Sequence, residues 1–82
     1  MPKVCQLGKY VIFFWSNEND EPMHVHVCEG TPHKEATKIW MEGIIRVEHN
    51  KSRIPAKDLN MIMQWLAANR GIVEKKWNIH FE

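Results

Sequence analysis

The spacing of apolar residues changes once along this chain, near Pro55, and that change constrains the fold more than any other feature. Before it, apolar runs are short, β-branched or aromatic, and are broken by Gly8-Lys9, by Asn17 to Pro22, by Gly30 to His33 and by Glu42-Gly43. Such runs predict successive strands joined by turns, over 3–7, 10–16, 24–29, 35–41 and 44–49. The links are short, so the strands should pair as an antiparallel meander; a parallel pair needs a crossover of about a dozen residues or more. After Pro55, Leu59, Ile62, Met63 and Leu66 recur at helical spacing. This predicts an amphipathic helix with Pro55 at its first position, where a missing amide hydrogen costs nothing. Asn69-Arg70-Gly71 should interrupt it, with a second, short helix over 71–78 packing Ile72, Val73 and Trp77. The expected fold is therefore α+β: an antiparallel four- or five-stranded meander followed by one long and one short C-terminal helix. It forms a single domain over 1–82, with its sheet portion at 1–49 and its helical portion at 50–82.

The second expected strand is apolar on both faces, which predicts a central position with one face under a helix and the other against a further element or a partner. In the fifth, Ile45 and Val47 should point inward while Arg46 and Glu48 meet water. With 82 residues and 44% apolar composition, one economical core can stand without crosslinks or metal, and no cofactor is expected. Cys5 and Cys28 are the only cysteines, and no basic start leads into a long apolar run. Both observations argue against an exported disulfide scaffold and for the cytoplasm. The longest apolar run, from Val11 to Trp15, is far short of the roughly 20 residues of a membrane helix, so no membrane partner is expected.

One stretch suggests chemistry. In Pro22-Met23-His24-Val25-His26-Val27-Cys28, extended backbone puts His24, His26 and Cys28 on one face and the valines on the other. Two imidazoles at that spacing can converge on one metal ion, with Cys28 as a third ligand, or can serve as an acid-base pair. The competing reading is structural: a strand histidine buries its ring while one nitrogen bonds to backbone or to a carboxylate, which Glu18, Asp20 or Glu21 could supply. The structural reading is the favoured one, and no metal is favoured. No serine-histidine-acid arrangement or phosphate-cradling glycine loop is present, so catalysis is not the leading expectation.

The formal charge of +1 provides no global field for nucleic acid. Locally, Lys51, Arg53, Lys57 and Arg70 gather around the Pro55 helix entry, a set that could hold phosphate. Four tryptophans, Trp15, Trp40, Trp65 and Trp77, are more than a small core needs. At least one, with Trp65 the candidate, is expected to cover an intermolecular surface, in a homodimer or against a protein partner.

The order of these features resembles a known family. Met1-Pro2-Lys3-Val4, the strand ending near Trp15-Ser16-Asn17, the Pro22 to Val27 motif, Gly43, the Ile54-Pro55 helix entry and Trp77 together resemble DUF4160, a small bacterial domain of unknown function, over nearly the whole chain. The most specific element is a proline, one further residue, histidine, an aromatic or aliphatic residue, histidine and valine, which falls on Pro22, Met23, His24, Val25, His26 and Val27. Phenylalanine is common in the family between the histidines, where this chain has Val25, and a second proline is frequent where it has Met23. The resemblance implies an α+β domain whose gene often stands in toxin-antitoxin-like arrangements, with no established enzymatic activity. Three jobs follow. The first is a protein-binding module, one component of such a pair. The others are an RNA-interacting protein or ribonuclease using His24 and His26, and a metal-dependent enzyme.

Overall fold

The computed structural model describes residues 3–16 and 20–81. Met1, Pro2, Asn17 and Glu18, which carried sequence expectations, lie outside them. Five strands, β1 (Lys3–Leu7), β2 (Tyr10–Phe13), β3 (His24–Glu29), β4 (Thr37–Trp40) and β5 (Arg46–His49), are followed by two helices, α1 (Ala56–Ala68) and α2 (Arg70–Phe81). The sheet is the expected antiparallel meander, in the order β1-β2-β3-β4-β5.

Turn chemistry sets the first hairpin. Leu7 faces Tyr10 across a two-residue loop in which Gly8 adopts a φ of 61°. A left-handed first loop residue is what a type II′ hairpin requires, and glycine takes it without a Cβ clash. Both outer strands carry an inserted residue: Lys3 faces Phe13 while Cys5 faces Ile12, leaving Val4 extra, and Lys38 faces His49 while Ile39 faces Val47, leaving Glu48 extra.

One face of the sheet meets the helices. Tyr10, Ile12, Phe14, Val25, Val27, Ile39 and Met41 pack there with Ile62 and Leu66 of α1 and Val73 and Trp77 of α2. The opposite face holds a second cluster, Val11, Phe13, Cys28 and Ala36, with Trp15 packed against it. The expectation for β2 is thus met within the chain itself, because all four of its residues are buried.

Polar bonds fasten the helices to this frame. The Tyr10 hydroxyl donates to Asp58 of α1 at 2.5 Å, and burial together with that carboxylate pushes the Tyr10 phenol up to about 12. Between β5 and α1, the buried Thr37 hydroxyl donates to Asn50 Oδ1 at 2.6 Å. Asn50 closes on Ile54 through both its amide atoms: Oδ1 accepts from the Ile54 N–H and Nδ2 donates to the Ile54 carbonyl, each at 3.0 Å. One side chain therefore orders the whole connection.

Several boundaries differ from expectation. β2 stops at Phe13 rather than residue 16, because its pairing with both neighbours ends there, at Lys3 of β1 and His26 of β3, although Phe14 and Trp15 keep the alternation of faces. β4 and β5 are shorter than expected. Val47, paired with Ile39, lies on the helix-facing side as expected, but it is 37% exposed, since β5 is an edge strand with no buried residue along its length. Pro55 is the N-cap of α1 rather than its first helical residue, its carbonyl accepting from Leu59 at 2.8 Å. The interhelical break is Asn69 alone: its N–H bonds back to Trp65 and Leu66 while its carbonyl accepts from Ile72 and Val73. With Gly71 inside it, α2 reaches 12 residues, nearly matching the 13 of α1.

Candidate functional site

The register puts His24 opposite Trp40, His26 opposite Lys38 and Phe13, and Cys28 opposite Val11. These partners share a face, as expected for His24, His26 and Cys28. His24 has no exposed surface and His26 is 8% exposed. Their rings meet edge to face, with centroids 5.1 Å apart.

Both imidazoles belong to a continuous series of rings. His26 stacks on Phe13 at 5.5 Å, and Phe13 meets Trp15 at 5.0 Å. His24 meets Trp40 at 5.5 Å and, around the sheet end, Trp77 of α2 at 5.3 Å. Trp77 continues to Phe14 and Phe81. Edge-to-face and tilted contacts of this kind add to area burial because ring edges are positive and ring faces negative.

His24 Nδ1 lies 2.9 Å from the Pro22 carbonyl, which can only accept, so this nitrogen carries the proton. The same atom is 3.8 Å from Glu21 Oε1, and Lys38, whose ammonium lies 4.4 Å from the Trp40 ring centroid, donates to Glu21 at 2.7 Å. Of the two partners the sequence offered this ring, backbone takes the hydrogen bond, and the exposed Glu21 stands beside it beyond hydrogen-bond distance. Cys28 is buried, its thiol raised by burial, and its Sγ lies 3.5 Å from the Thr31 carbonyl. Burial likewise raises the Cys5 thiol. Among the described residues, no three His, Cys, Asp or Glu side chains come together to hold a metal ion. A proton-transferring imidazole must also reach its substrate, and the His24 ring is sealed by its neighbours.

The expected basic group is split. Lys51, Arg53 and Lys57 are exposed near the start of α1, at the sheet end where Tyr10 and Thr37 lie. Arg53 holds a φ of 55°, and burial followed by the Lys51 charge lowers the neighbouring His49. Arg70 sits at the other sheet end, where its two terminal nitrogens donate to the carbonyls of Met41, at 2.5 Å, and Gly43. It clamps the β4–β5 turn to α2 and does not join the other three.

Trp15, Trp40 and Trp65 are half-buried and Trp77 is buried, with Trp65 packed against the main core. The exposed large apolar residues are aliphatic or thioether side chains: Ile44, Ile79, Ile72, Met61 and Val47. Ile44 is the most exposed, at 84%, on the turn that Arg70 holds. Gly43, before it, has a φ of 70°. Beside this turn opens a cleft of about 440 Å³, lined in part by Glu21, Met23, Glu42, Arg70, Glu74 and Trp77. Sequence reasoning missed this place, although Gly43 followed by an apolar residue in a polar turn was a signal.

The profile of a family described as "Domain of unknown function (DUF4160)" matches residues 10–78. The chain belongs to this family. The DUF4160 match takes in β2 to β5, α1, most of α2, the ring series except Phe81, and the Ile44 turn. No curated protein and no solved structure matches the chain.

Proposed function

We propose that this DUF4160 domain is a cytoplasmic protein-binding module, one component of a toxin-antitoxin-like pair, and that it meets its partner through the β4–β5 turn. The observation that carries this reading is Ile44, an 84% exposed aliphatic side chain on a turn that Arg70 fixes by two hydrogen bonds. A large apolar side chain held out in water gains free energy only when something covers it, about 25 cal/mol per Å² of apolar area removed from water. A turn already fixed also loses little conformational freedom on binding, which favours affinity. Because the imidazoles are enclosed by rings, their part in this reading is to stiffen the sheet end from which the turn projects.

The test is co-expression with the product of the adjacent gene, followed by mass determination by light scattering. A stable complex is expected, lost in Ile44→Asp and kept in Ile79→Asp. Ile79 lies on the side of α2 opposite Arg70, Glu74 and Trp77 by helical spacing. Absence of a complex, or sensitivity to Ile79→Asp alone, would overturn the reading; in the second outcome the α2 face of Ile72 and Ile79 would be the contact, with a second copy of this chain among its occupants.

A further inference from the structure

We infer that the cleft beside Ile44 receives a cationic segment of a protein partner, arginine or lysine side chains flanking an apolar residue that packs on Ile44. This rests on the reading of the turn as the binding surface and adds the chemistry of what binds there. The cleft lining contains three carboxylates, from Glu21, Glu42 and Glu74, and one cation, Arg70. The guanidinium of Arg70 is committed to the Met41 and Gly43 carbonyls. Glu21 shares its charge with Lys38. Glu42 and Glu74, both exposed, therefore set the sign at the cleft mouth, although the chain as a whole is at +1.

Charge sign selects among the occupants. An acidic partner would bring like charges against Glu42 and Glu74. A purely apolar partner would strip water from two carboxylates without replacing it. Cationic side chains compensate both carboxylates at the rim, where complementary charge governs encounter and orientation, while the apolar contact at Ile44 supplies the burial. The cleft, about 440 Å³, is open to solvent, so an entering cation keeps part of its hydration. Of the exposed cations, Lys51, Arg53 and Lys57 lie at the far end of the strands. Arg46, beside the turn, pairs with Trp40 and holds its guanidinium 5.8 Å from the centroid of that ring, outside the cleft lining.

The experiment uses two short fluorescent peptides and the whole chain, with no need of the natural partner. In one peptide arginines flank a leucine; in the other glutamates replace the arginines. Anisotropy should show binding of the arginine peptide only, weakening as salt rises. Amide shifts of the labelled protein should move around Glu42 to Ile44 and along Arg70 to Asn78. Glu42→Lys with Glu74→Lys should weaken binding at least tenfold, and Ile44→Asp should do the same. Lys57→Glu should leave it unchanged, with thermal melting showing that each variant is folded. Equal binding of the two peptides, shifts centred elsewhere, or full affinity in the charge-reversed protein would overturn the inference. The adjacent-gene complex separates this from the broader reading: a complex broken by Ile44→Asp but indifferent to Glu42→Lys with Glu74→Lys keeps the binding module and removes the cationic partner.

Discussion

The two faces of the sheet are buried by different means. On one, mostly aliphatic side chains of β2, β3 and β4, with Tyr10 among them, meet Ile62, Leu66, Val73 and Trp77 of the helices. On the other, the buried cluster contains no helical residue, and Phe13, Trp15, His24, His26 and Trp40 close over one another. An aliphatic face needs a second layer to exclude water. Flat rings, meeting edge to face, can exclude it among themselves. The comparison explains why a histidine-rich strand sits at the middle of this domain: imidazole is a ring that also bonds to backbone, as His24 does to Pro22.

The sharpest way to break the comparison is to hollow out each face. Phe13→Ala should cost about 3–5 kcal/mol, comparable to the roughly 2–5 kcal/mol of Leu66→Ala, in urea unfolding followed by circular dichroism. Both side chains have no exposed surface. A Phe13→Ala cost below about 1 kcal/mol would show the ring face to be a cover rather than a core.

Next in size is the joint between sheet and helices. Asn50→Ala removes the bonds to Thr37 and to both backbone atoms of Ile54, leaving buried partners unsatisfied. A loss of about 2–3 kcal/mol is expected in the same assay. The helix face also carries a pH signature. Tyr10 is raised to about 12 from its ordinary 10, so its contribution is complete below about pH 10 and is lost as pH climbs toward 12, where the unfolded chain ionises first. The decline should be roughly 2 kcal/mol. Tyr10→Phe should flatten that part of the stability-pH curve, and an unchanged slope would show that Tyr10 is not the group whose ionisation unfolds the domain.

The smallest effect sharpens the ring face. His26→Gln loses stacking on Phe13 but keeps a polar tip, and should lower stability by about 1 kcal/mol. Thermal melting with and without a chelator reads it. An equal loss in both conditions fits the ring role, whereas a loss confined to the chelator-free condition would mean a metal held by the imidazoles.

The helix face was legible in the sequence because its periods are simple. β1 and β3 have the expected bounds, and Leu59, Ile62, Met63 and Leu66 mark α1. What failed to show was any burial not tied to a period. The tryptophan count gave no sign that Trp15 and Trp40 would pack on imidazoles or that Trp77 would join the two faces. Arg70 sat near other cations in sequence, but its partners, Met41 and Gly43, are carbonyls brought near by the fold. Carbonyl partners leave no mark on residue type. The same holds for Val47, whose inward alternation assumed a covering layer that does not extend over β5.

The extra residues Val4 and Glu48 put the open backbone groups of both outer strands out of step with a regular ladder. A strand arriving from another molecule would find its amides and carbonyls mismatched after one or two pairings, so lengthening of the sheet by recruitment is discouraged on either side. Any contact with another chain is therefore left to side chains and turns, and concentrated solutions should resist the fibrous stacking that an unblemished border would invite.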